Sequence, residues 1–209
     1  MAARIALIDS GVNRRHPHLC ESGEVIAGPT IGDDGALDFD AAHTDVIGHG
    51  TAAAAAILDL APGSTVYSIR VFIERPACPF ERVIAALRLA IEWRPSLVNL
   101  SLGTTDERWR DALVDVQREA ETLGVLIVSP ATHERLPSYP GSLAGYTGVL
   151  MDATLPREKP EQRASGDKLV WYASPYPRDL PGRPRAANLA GVSMAAANLT
   201  GFLARRIGP

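Results

Sequence analysis

The sequence predicts an α/β protein, a three-layer sandwich in which helices flank a mostly parallel central sheet. Short runs of branched aliphatic residues alternate along the chain with longer segments whose apolar residues recur at helical spacing, which is typical of a parallel sheet covered by helices. The chain has 209 residues, of which 46% are hydrophobic and 22% charged, a balance that supports one sizeable core. We therefore expect residues 1–209 to form a single domain.

Four apolar runs predict buried strands, because each is rich in branched aliphatic residues and is bounded by turn residues or charges. They are Ile5–Ile8, Val66–Phe72, Leu97–Leu100 and Val125–Val128, and the runs Val149–Met151 and Leu169–Tyr172 are further candidates. Right-handed crossovers would place the strand ends that carry Asp9 and Ser101 along one edge of the sheet.

Helices are predicted where apolar residues recur every three or four positions between these strands. The segments are Thr51–Leu60, Phe80–Trp93 and Arg108–Leu123, and a last helix should run from about Ser193 to about Arg206 and end at Gly208-Pro209. Two segments rich in proline and charge, Thr154–Asp167 and Ser174–Asn188, are expected to be surface loops.

The charge balance excludes some classes of partner. A net charge of −3 gives no overall field that would gather nucleic acid or an anionic membrane, so we expect neither partner. Any partner must be recognised locally.

The cysteines and the first residues of the chain indicate the cellular compartment. Cys20 and Cys78 are far apart in the sequence and outside any metal-ligand spacing, so we expect reduced thiols and neither a disulfide framework nor a zinc site. The apolar run Ile5–Ile8 is too short for a signal peptide, and no stretch is long enough to cross a bilayer. A cytoplasmic location is therefore expected.

Three polar residues could carry nucleophilic hydrolysis, which needs a hydroxyl, an imidazole base and a carboxylate to orient that base. Asp9 follows the first strand directly, although an aspartate in this place is more often a turn or cap residue. His49 lies between glycines at the entrance to an alanine-rich helix, where a structural histidine is the alternative. Ser193 opens the last helix, whose dipole would face its hydroxyl, and an N-cap serine is the alternative.

Five motifs occur in order along nearly the whole chain. They are Asp9-Ser10-Gly11 with His16-Pro17-His18-Leu19, Gly48-His49-Gly50-Thr51, Leu97 to Gly103, Gly124 to Val128, and Gly191-Val192-Ser193-Met194-Ala195-Ala196. In this order they resemble the subtilisin-like (subtilase) serine peptidases, and not the chymotrypsins or the α/β-hydrolases. The chain is shorter than most members of that family and shows no recognisable propeptide or calcium loop, so the resemblance is to a compact member.

The resemblance implies a subtilisin-like fold and a serine endopeptidase acting through an acyl-enzyme. Ser193 would be the nucleophile, His49 the general base and then acid, and Asp9 the residue that orients His49. It also implies that Tyr139-Pro140 is a cis peptide bond. The implied substrate is a peptide or protein, and no cofactor and no metal are expected.

The resemblance also assigns substrate-binding segments. Ser101-Leu102-Gly103 would pair with an extended substrate backbone, and Pro130-Ala131-Thr132 would line the pocket for the residue preceding the cut. Thr132 stands where the family has glycine, so we expect it to narrow that pocket and to favour small side chains.

Other departures from the family concern the oxyanion hole and the serine helix. His133 takes the place of the oxyanion asparagine, and we expect it to donate there, since an imidazole can donate a hydrogen bond. The alternative is a surface histidine and an incomplete hole. Val192, Ala197 and Asn198 replace the threonine, proline and histidine of the family around the serine helix.

An acidic stretch is not assigned by the resemblance. Its aspartates fit no calcium-loop pattern, so we expect a solvated loop, with a preference for a basic substrate residue as the alternative. The aspartates are Asp33, Asp34, Asp38, Asp40 and Asp45.

Three functions remain open from sequence. The first is an endopeptidase that cuts a flexible leader or precursor peptide, and the second is a pseudopeptidase that binds peptides without hydrolysing them. An esterase or peptide ligase is the third, because all of these chemistries share the acyl-enzyme.

Overall fold

The computed structural model describes residues 2–19, 22–39, 44–165 and 168–207. Within these ranges the central sheet has nine strands, and two further strands form a short hairpin. The sheet contains β1 Arg4–Asp9, β2 Glu24–Ile31, β3 Leu37–Asp38, β4 Thr65–Arg70, β5 Leu97–Leu100, β6 Leu126–Pro130, β9 Thr147–Met151, β10 Glu161–Ser165 and β11 Lys168–Ala173, and the hairpin contains β7 Thr132–His133 and β8 Leu136–Pro137.

The strand order in the sheet is β10-β11-β9-β6-β5-β1-β4-β2-β3. Neighbours from β11 through to β2 are parallel, and antiparallel pairs occur at the two edges, where β10 joins β11 and β3 joins β2. Ile8 in β1 is in register with Leu100 in β5, so Asp9 and Ser101 leave the sheet side by side. The predicted placement of these strand ends along one edge is confirmed.

Four α-helices in the described residues cover the sheet on both faces. They are α1 His49–Leu60, α2 Phe80–Glu92, α3 Arg110–Thr122 and α4 Val192–Ile207. Ile5 and Leu7 of β1 pack with α1 and α4, whereas Ala6 and Ile8 pack with α2 and α3, because successive side chains of a strand point to opposite faces. The predicted three-layer α/β fold is confirmed. None of the helices in the described ranges is long and apolar enough to cross a bilayer.

The main predicted strands correspond to β1, β4, β5 and β6, and the further candidates correspond to β9 and β11. The sequence analysis missed β2, because Gly28-Pro29 resembles a turn in the middle of the strand. The structure accommodates this dipeptide with a shift of register between Ala27 and Thr30 where β2 pairs with β4, as expected of a strand that is bulged at a proline.

The expectation of a loop over Thr154–Asp167 is wrong for part of that segment, because β10 pairs there with β11. β10 is a polar edge strand, so it shows no apolar alternation by which it could be predicted. Several residues named in the sequence analysis lie outside the described residues: Cys20, Asp40, Asp167 and the dipeptide Gly208-Pro209.

Candidate active site

Asp9 and His49 form a close pair at the carboxyl end of β1. Asp9 is fully buried, and His49 Nδ1 lies 2.8 Å from its Oδ1 and 2.9 Å from its Oδ2. The N–H of Ser10 also donates to Asp9 Oδ1, at 2.7 Å. Because an ionised carboxylate can only accept, Nδ1 of His49 carries the proton and Nε2 is left free to take one.

Gly50 allows α1 to begin this close to β1. A β-carbon at residue 50 would collide with the carbonyl oxygen of Gly11 and would lie 3.2 Å from Cβ of Asp9. Only glycine fits such an approach of two backbones, so α1 can begin this close to β1 because residue 50 is glycine.

Asp45 holds the start of α1, a role that the sequence analysis missed. Its Oδ1 accepts hydrogen bonds from Ser10 Oγ and from the N–H groups of Ile47 and Gly48, at 2.9, 3.1 and 2.7 Å. Its Oδ2 accepts from the N–H and the hydroxyl of Thr51, at 2.8 and 2.6 Å, and that N–H is one that a helix leaves unpaired at its N-terminus. The expectation of a solvated acidic loop is wrong for Asp45, and an aspartate just before an alanine-rich helix was the signal for a cap.

These surroundings raise the pKa of His49 above its usual range. Burial by itself lowers that pKa, but the negative charge of Asp9, its hydrogen bond to His49 and the charge of Asp45 together outweigh the effect of burial. The site therefore stabilises the imidazolium form, which a general base becomes once it has taken a proton.

Ser193 shares a cavity with His49. It is the second residue of α4, two positions further into the helix than an N-cap serine would be, and both residues line a cavity of about 380 Å³. Among the described residues, no hydrogen bond joins the Ser193 hydroxyl to His49. Such hydrogen bonds are often long before substrate binds.

A chain of hydrogen bonds fixes Ser193 against the end of β5. The hydroxyl of Ser101 donates to the carbonyl oxygen of Ser193 at 3.2 Å and accepts from Asn99 Nδ2 at 2.7 Å. Asn99 Oδ1 in turn accepts from the Thr200 hydroxyl at 2.8 Å. The start of α4 is therefore tied directly to the predicted substrate-binding segment.

That segment, Ser101-Leu102-Gly103, lines the same cavity. In the described part of the chain, the N–H of Leu102 and both backbone polar groups of Gly103 make no hydrogen bond. The segment thus offers unpaired backbone groups beside Ser193, as an added strand requires.

The segment is supported from behind by the turn at residues 138–140. A β-carbon at Gly103 would collide with the Ser138 hydroxyl and would lie 2.8 Å from the Tyr139 carbonyl oxygen. Thr104 and Tyr139 exchange backbone hydrogen bonds of 2.9 and 2.7 Å. The Tyr139-Pro140 peptide bond is cis, which confirms the prediction.

Of the four predicted site residues at positions 130–133, one lines the cavity of Ser193 and three do not. His133 is exposed in β7 and lines the cavity of Ser193. Pro130, Ala131 and Thr132 are not part of that lining: Pro130 is buried at the end of β6, and the Ala131 N–H donates to the Val149 carbonyl oxygen at 2.9 Å.

Cys78 also lines this cavity, and a thiol is a conceivable alternative nucleophile. Burial raises the pKa of the Cys78 thiol to about 11, although the charge of Arg82 acts in the opposite direction. Since the thiolate is the reactive form, this shift disfavours Cys78 as a nucleophile at neutral pH.

The fold recurs in solved structures. A cold adapted subtilisin-like serine proteinase superposes with a TM-score of 0.72 at 18% sequence identity, over 98% of this chain and 74% of the other. The prenylagaramide maturation protease PagA superposes with a TM-score of 0.74, also at 18% identity and with the same coverage of both chains. At such identities the likeness concerns the fold.

Sequence comparison identifies the family. A thermostable alkaline protease of Halalkalibacterium halodurans is 26% identical over an alignment of 221 positions including gaps, which covers 97% of this chain and 56% of the relative. A subtilisin of Bacillus sp. (strain TA39) is 29% identical over 164 residues, which cover 71% of this chain and 37% of the relative. The chain thus spans about half the length, or less, of these curated relatives. The sequence profile described as "Subtilase family" matches residues 2–151, and the chain belongs to the subtilase family.

Proposed function

We propose that the chain is a serine endopeptidase with Asp9, His49 and Ser193 as its catalytic triad. The observation that carries the proposal is the contact between His49 Nδ1 and the buried Asp9 carboxylate, in a cavity that Ser193 also lines. A buried carboxylate that holds one imidazole nitrogen leaves the other nitrogen to act as the base. Membership of the subtilase family supports the same chemistry.

The reaction proceeds in two stages. Ser193 Oγ attacks the carbonyl carbon of the scissile peptide while Nε2 of His49 takes the hydroxyl proton, and the Asp9 carboxylate stabilises the imidazolium. The imidazolium then gives this proton to the leaving nitrogen, the C–N bond breaks, and an ester of Ser193 remains. Water, deprotonated by His49, hydrolyses the ester and restores the free hydroxyl.

The negative oxygen of the tetrahedral intermediate needs hydrogen-bond donors. We propose His133 and the N–H of Ser193 for this role. His133 is supported by its place in the lining of the same cavity, and the Ser193 N–H by its position in the first turn of α4, where helical N–H groups lack intrahelical partners.

The unpaired backbone of Ser101-Leu102-Gly103 supports binding of the substrate as an extended strand. Phe72, Phe80 and Val83 line the same cavity, so it suits an apolar substrate side chain. Backbone pairing requires an unfolded stretch of substrate, as in a leader or precursor peptide. The structural likeness to a maturation protease favours such a processing role.

A fluorophosphonate probe tests the assignment, because only a hydroxyl that is activated by a base reacts readily. We expect one labelled serine, found at Ser193 by mass spectrometry, and loss of labelling in both Ser193→Ala and His49→Ala. Cys78→Ser serves as the control and should label like the parent protein. Labelling that persists in Ser193→Ala would show the nucleophile to be wrong.

A pseudopeptidase that binds peptides without cutting them is the second candidate. It is favoured by the absence of a Ser193–His49 hydrogen bond in the described residues and by a histidine at the asparagine position of the family. An unlabelled parent protein that still binds peptides would establish this alternative.

A further inference from the structure

A second cavity, also of about 380 Å³, adjoins the start of α1. It shares no lining residue with the cavity of Ser193. Thr51, Ala52 and Ala55 line it from one face of α1, whereas His49 faces the other cavity. Leu189, four residues before Ser193, also belongs to its lining. The second cavity therefore adjoins the two segments that carry His49 and Ser193.

Two of the segments that line this second cavity are strongly basic, although the chain as a whole has a net charge of −3. Residues 13–18 and 177–189 contribute to the lining and together carry five arginines and two histidines against one aspartate. Arg178, Arg183, His16 and His18 are themselves lining residues. We call this space the arginine cavity.

The positive charge of Arg183 has no partner among the residues that the structure describes. Its guanidinium makes no hydrogen bond or ion pair with any residue in the described ranges. Arg178, by contrast, is engaged, since it lies 3.4 Å from Asp59 Oδ1 and donates to the carbonyl oxygen of His18 at 2.8 Å.

Asp45 is the acidic residue in this lining, and its carboxylate is already hydrogen-bonded within the protein. Both of its carboxylate oxygens accept hydrogen bonds from Ser10 and from the start of α1. A carboxylate that is saturated by these donors does not compete for the Arg183 guanidinium. The cavity therefore has an unpaired cation, and an anion is its complement.

We propose that the arginine cavity binds acidic residues of the substrate that follow the scissile bond, with Arg183 as the principal contact. The direction rests on the proposed function, in which the residues preceding the cut lie along Ser101-Leu102-Gly103. A substrate that continues past Ser193 would leave that first cavity and would meet the arginine cavity, which adjoins the segments of His49 and Ser193. Aspartate or glutamate within the first few residues after the cut would pair with the guanidinium.

The negative net charge of the whole protein makes this prediction specific, because long-range electrostatics alone would favour a basic peptide.

Binding is measured in the Ser193→Ala protein, where no cleavage occurs. The probes are fluorescein-labelled dodecapeptides of alanine and glycine that carry glutamate, glutamine or lysine at four alternating positions. We expect the glutamate peptide to bind about three- to tenfold more tightly than the glutamine peptide, and less tightly as salt is raised.

Arg183→Gln in the same background should bring the two affinities within about twofold of each other. Arg205→Gln is the matched control, because it removes the same charge from an exposed arginine at the far end of α4 and should preserve the preference. Equal binding of the glutamate and glutamine peptides would overturn the proposal, as would tightest binding of the lysine peptide. An equal effect of the two arginine variants would show that only net charge matters.

Cleavage of a proteome-derived peptide library by the parent protein tests the direction. We expect aspartate and glutamate to be enriched after the cut and this enrichment to be lost in Arg183→Gln. Enrichment only before the cut would contradict the placement. If fluorophosphonate labelling fails and the glutamate peptide still binds through Arg183, the peptidase function is wrong and the acidic-peptide site stands.

Discussion

At the scale of single residues, His133 is placed by backbone pairing. It lies in the two-residue strand β7, which is paired with β8 and joined to it by Glu134 and Arg135, both of which have positive φ angles. This tight hairpin carries His133 to the lining of the cavity of Ser193. Because backbone hydrogen bonds hold this hairpin, the His133 side chain can be substituted without loss of the fold.

His133→Ala should lower kcat by about 10²–10³-fold, the usual cost of losing one oxyanion-hole donor in a subtilisin, and should leave KM nearly unchanged. Steady-state kinetics on a cleaved library peptide measure this effect. His133→Asn, which restores the residue of the family, should keep most of the activity. An alanine variant that turns over as fast as the parent would show that His133 is a surface residue.

At the scale of elements, the start of α1 joins the aspartate motif and the histidine motif into one site. Asp45 caps the helix and accepts from Ser10, and the Ser10 hydroxyl in turn accepts from the Gly50 N–H at 2.9 Å. Ser10 follows Asp9 directly, so the same hydrogen bonds that hold α1 also hold the carboxylate that contacts His49. The geometry of the pair therefore depends on a residue outside it.

Asp45→Asn should shift the acidic limb of the kcat/KM profile to lower pH. The charge of Asp45 helps to raise the pKa of His49, so its removal lowers that pKa, and activity is lost as pH falls through it because the protonated imidazole cannot act as a base. The variant should also lose about 1 kcal/mol of stability through the weakened cap.

Asp34→Asn is the control for this experiment, since Asp34 Oδ1 accepts from the Ala36 N–H in an exposed turn and Asp34 is not among the groups that shift the pKa of His49. Neither the pH profile nor the urea midpoint should change. An unchanged acidic limb in Asp45→Asn would mean that Asp45 acts on α1 alone.

At the scale of the whole molecule, buried Arg157 connects segments that are distant in the sequence. Its side chain donates to Asn198 Oδ1 at 3.0 Å, to Asp59 Oδ2 at 2.8 Å and to the Ala56 carbonyl oxygen at 3.1 Å. Asn198 also donates to the carbonyl oxygens of Ser174 and Tyr176. The asparagine that departs from the family pattern thus joins α4, through Arg157, to α1.

Arg157→Met should destabilise the protein by about 2–4 kcal/mol, because the change leaves the buried Asn198 Oδ1 without a donor and removes the ion pair with Asp59. Urea unfolding at constant m-value measures the loss. Arg163→Met removes an arginine that is paired with Asp152 and Glu161 but is 40% exposed in its side chain, so it should cost much less stability than Arg157→Met. Equal losses in the two variants would show that burial of Arg157 adds nothing.

Most of the fold could be predicted from apolar periodicity, because the central strands and the helices bury continuous or one-sided apolar surfaces. The prediction failed at β2, where Gly28-Pro29 imitates a turn, and at β10, where a polar edge strand is held by backbone pairing with β11. Backbone pairing leaves no trace in side-chain pattern, so such strands are found only in the structure.

For the site, the sequence by itself indicated the family, the parallel sheet and the proposed triad Asp9, His49 and Ser193, because these depend on local motifs and their order. Only the tertiary structure decided that Asp45 caps α1, that His133 reaches the cavity of Ser193 whereas Thr132 does not line it, and that two basic segments far apart in the chain enclose one cavity. Each of these depends on which side chains meet across the fold. Distances between residues remote in the sequence are set by packing, which a single sequence does not display.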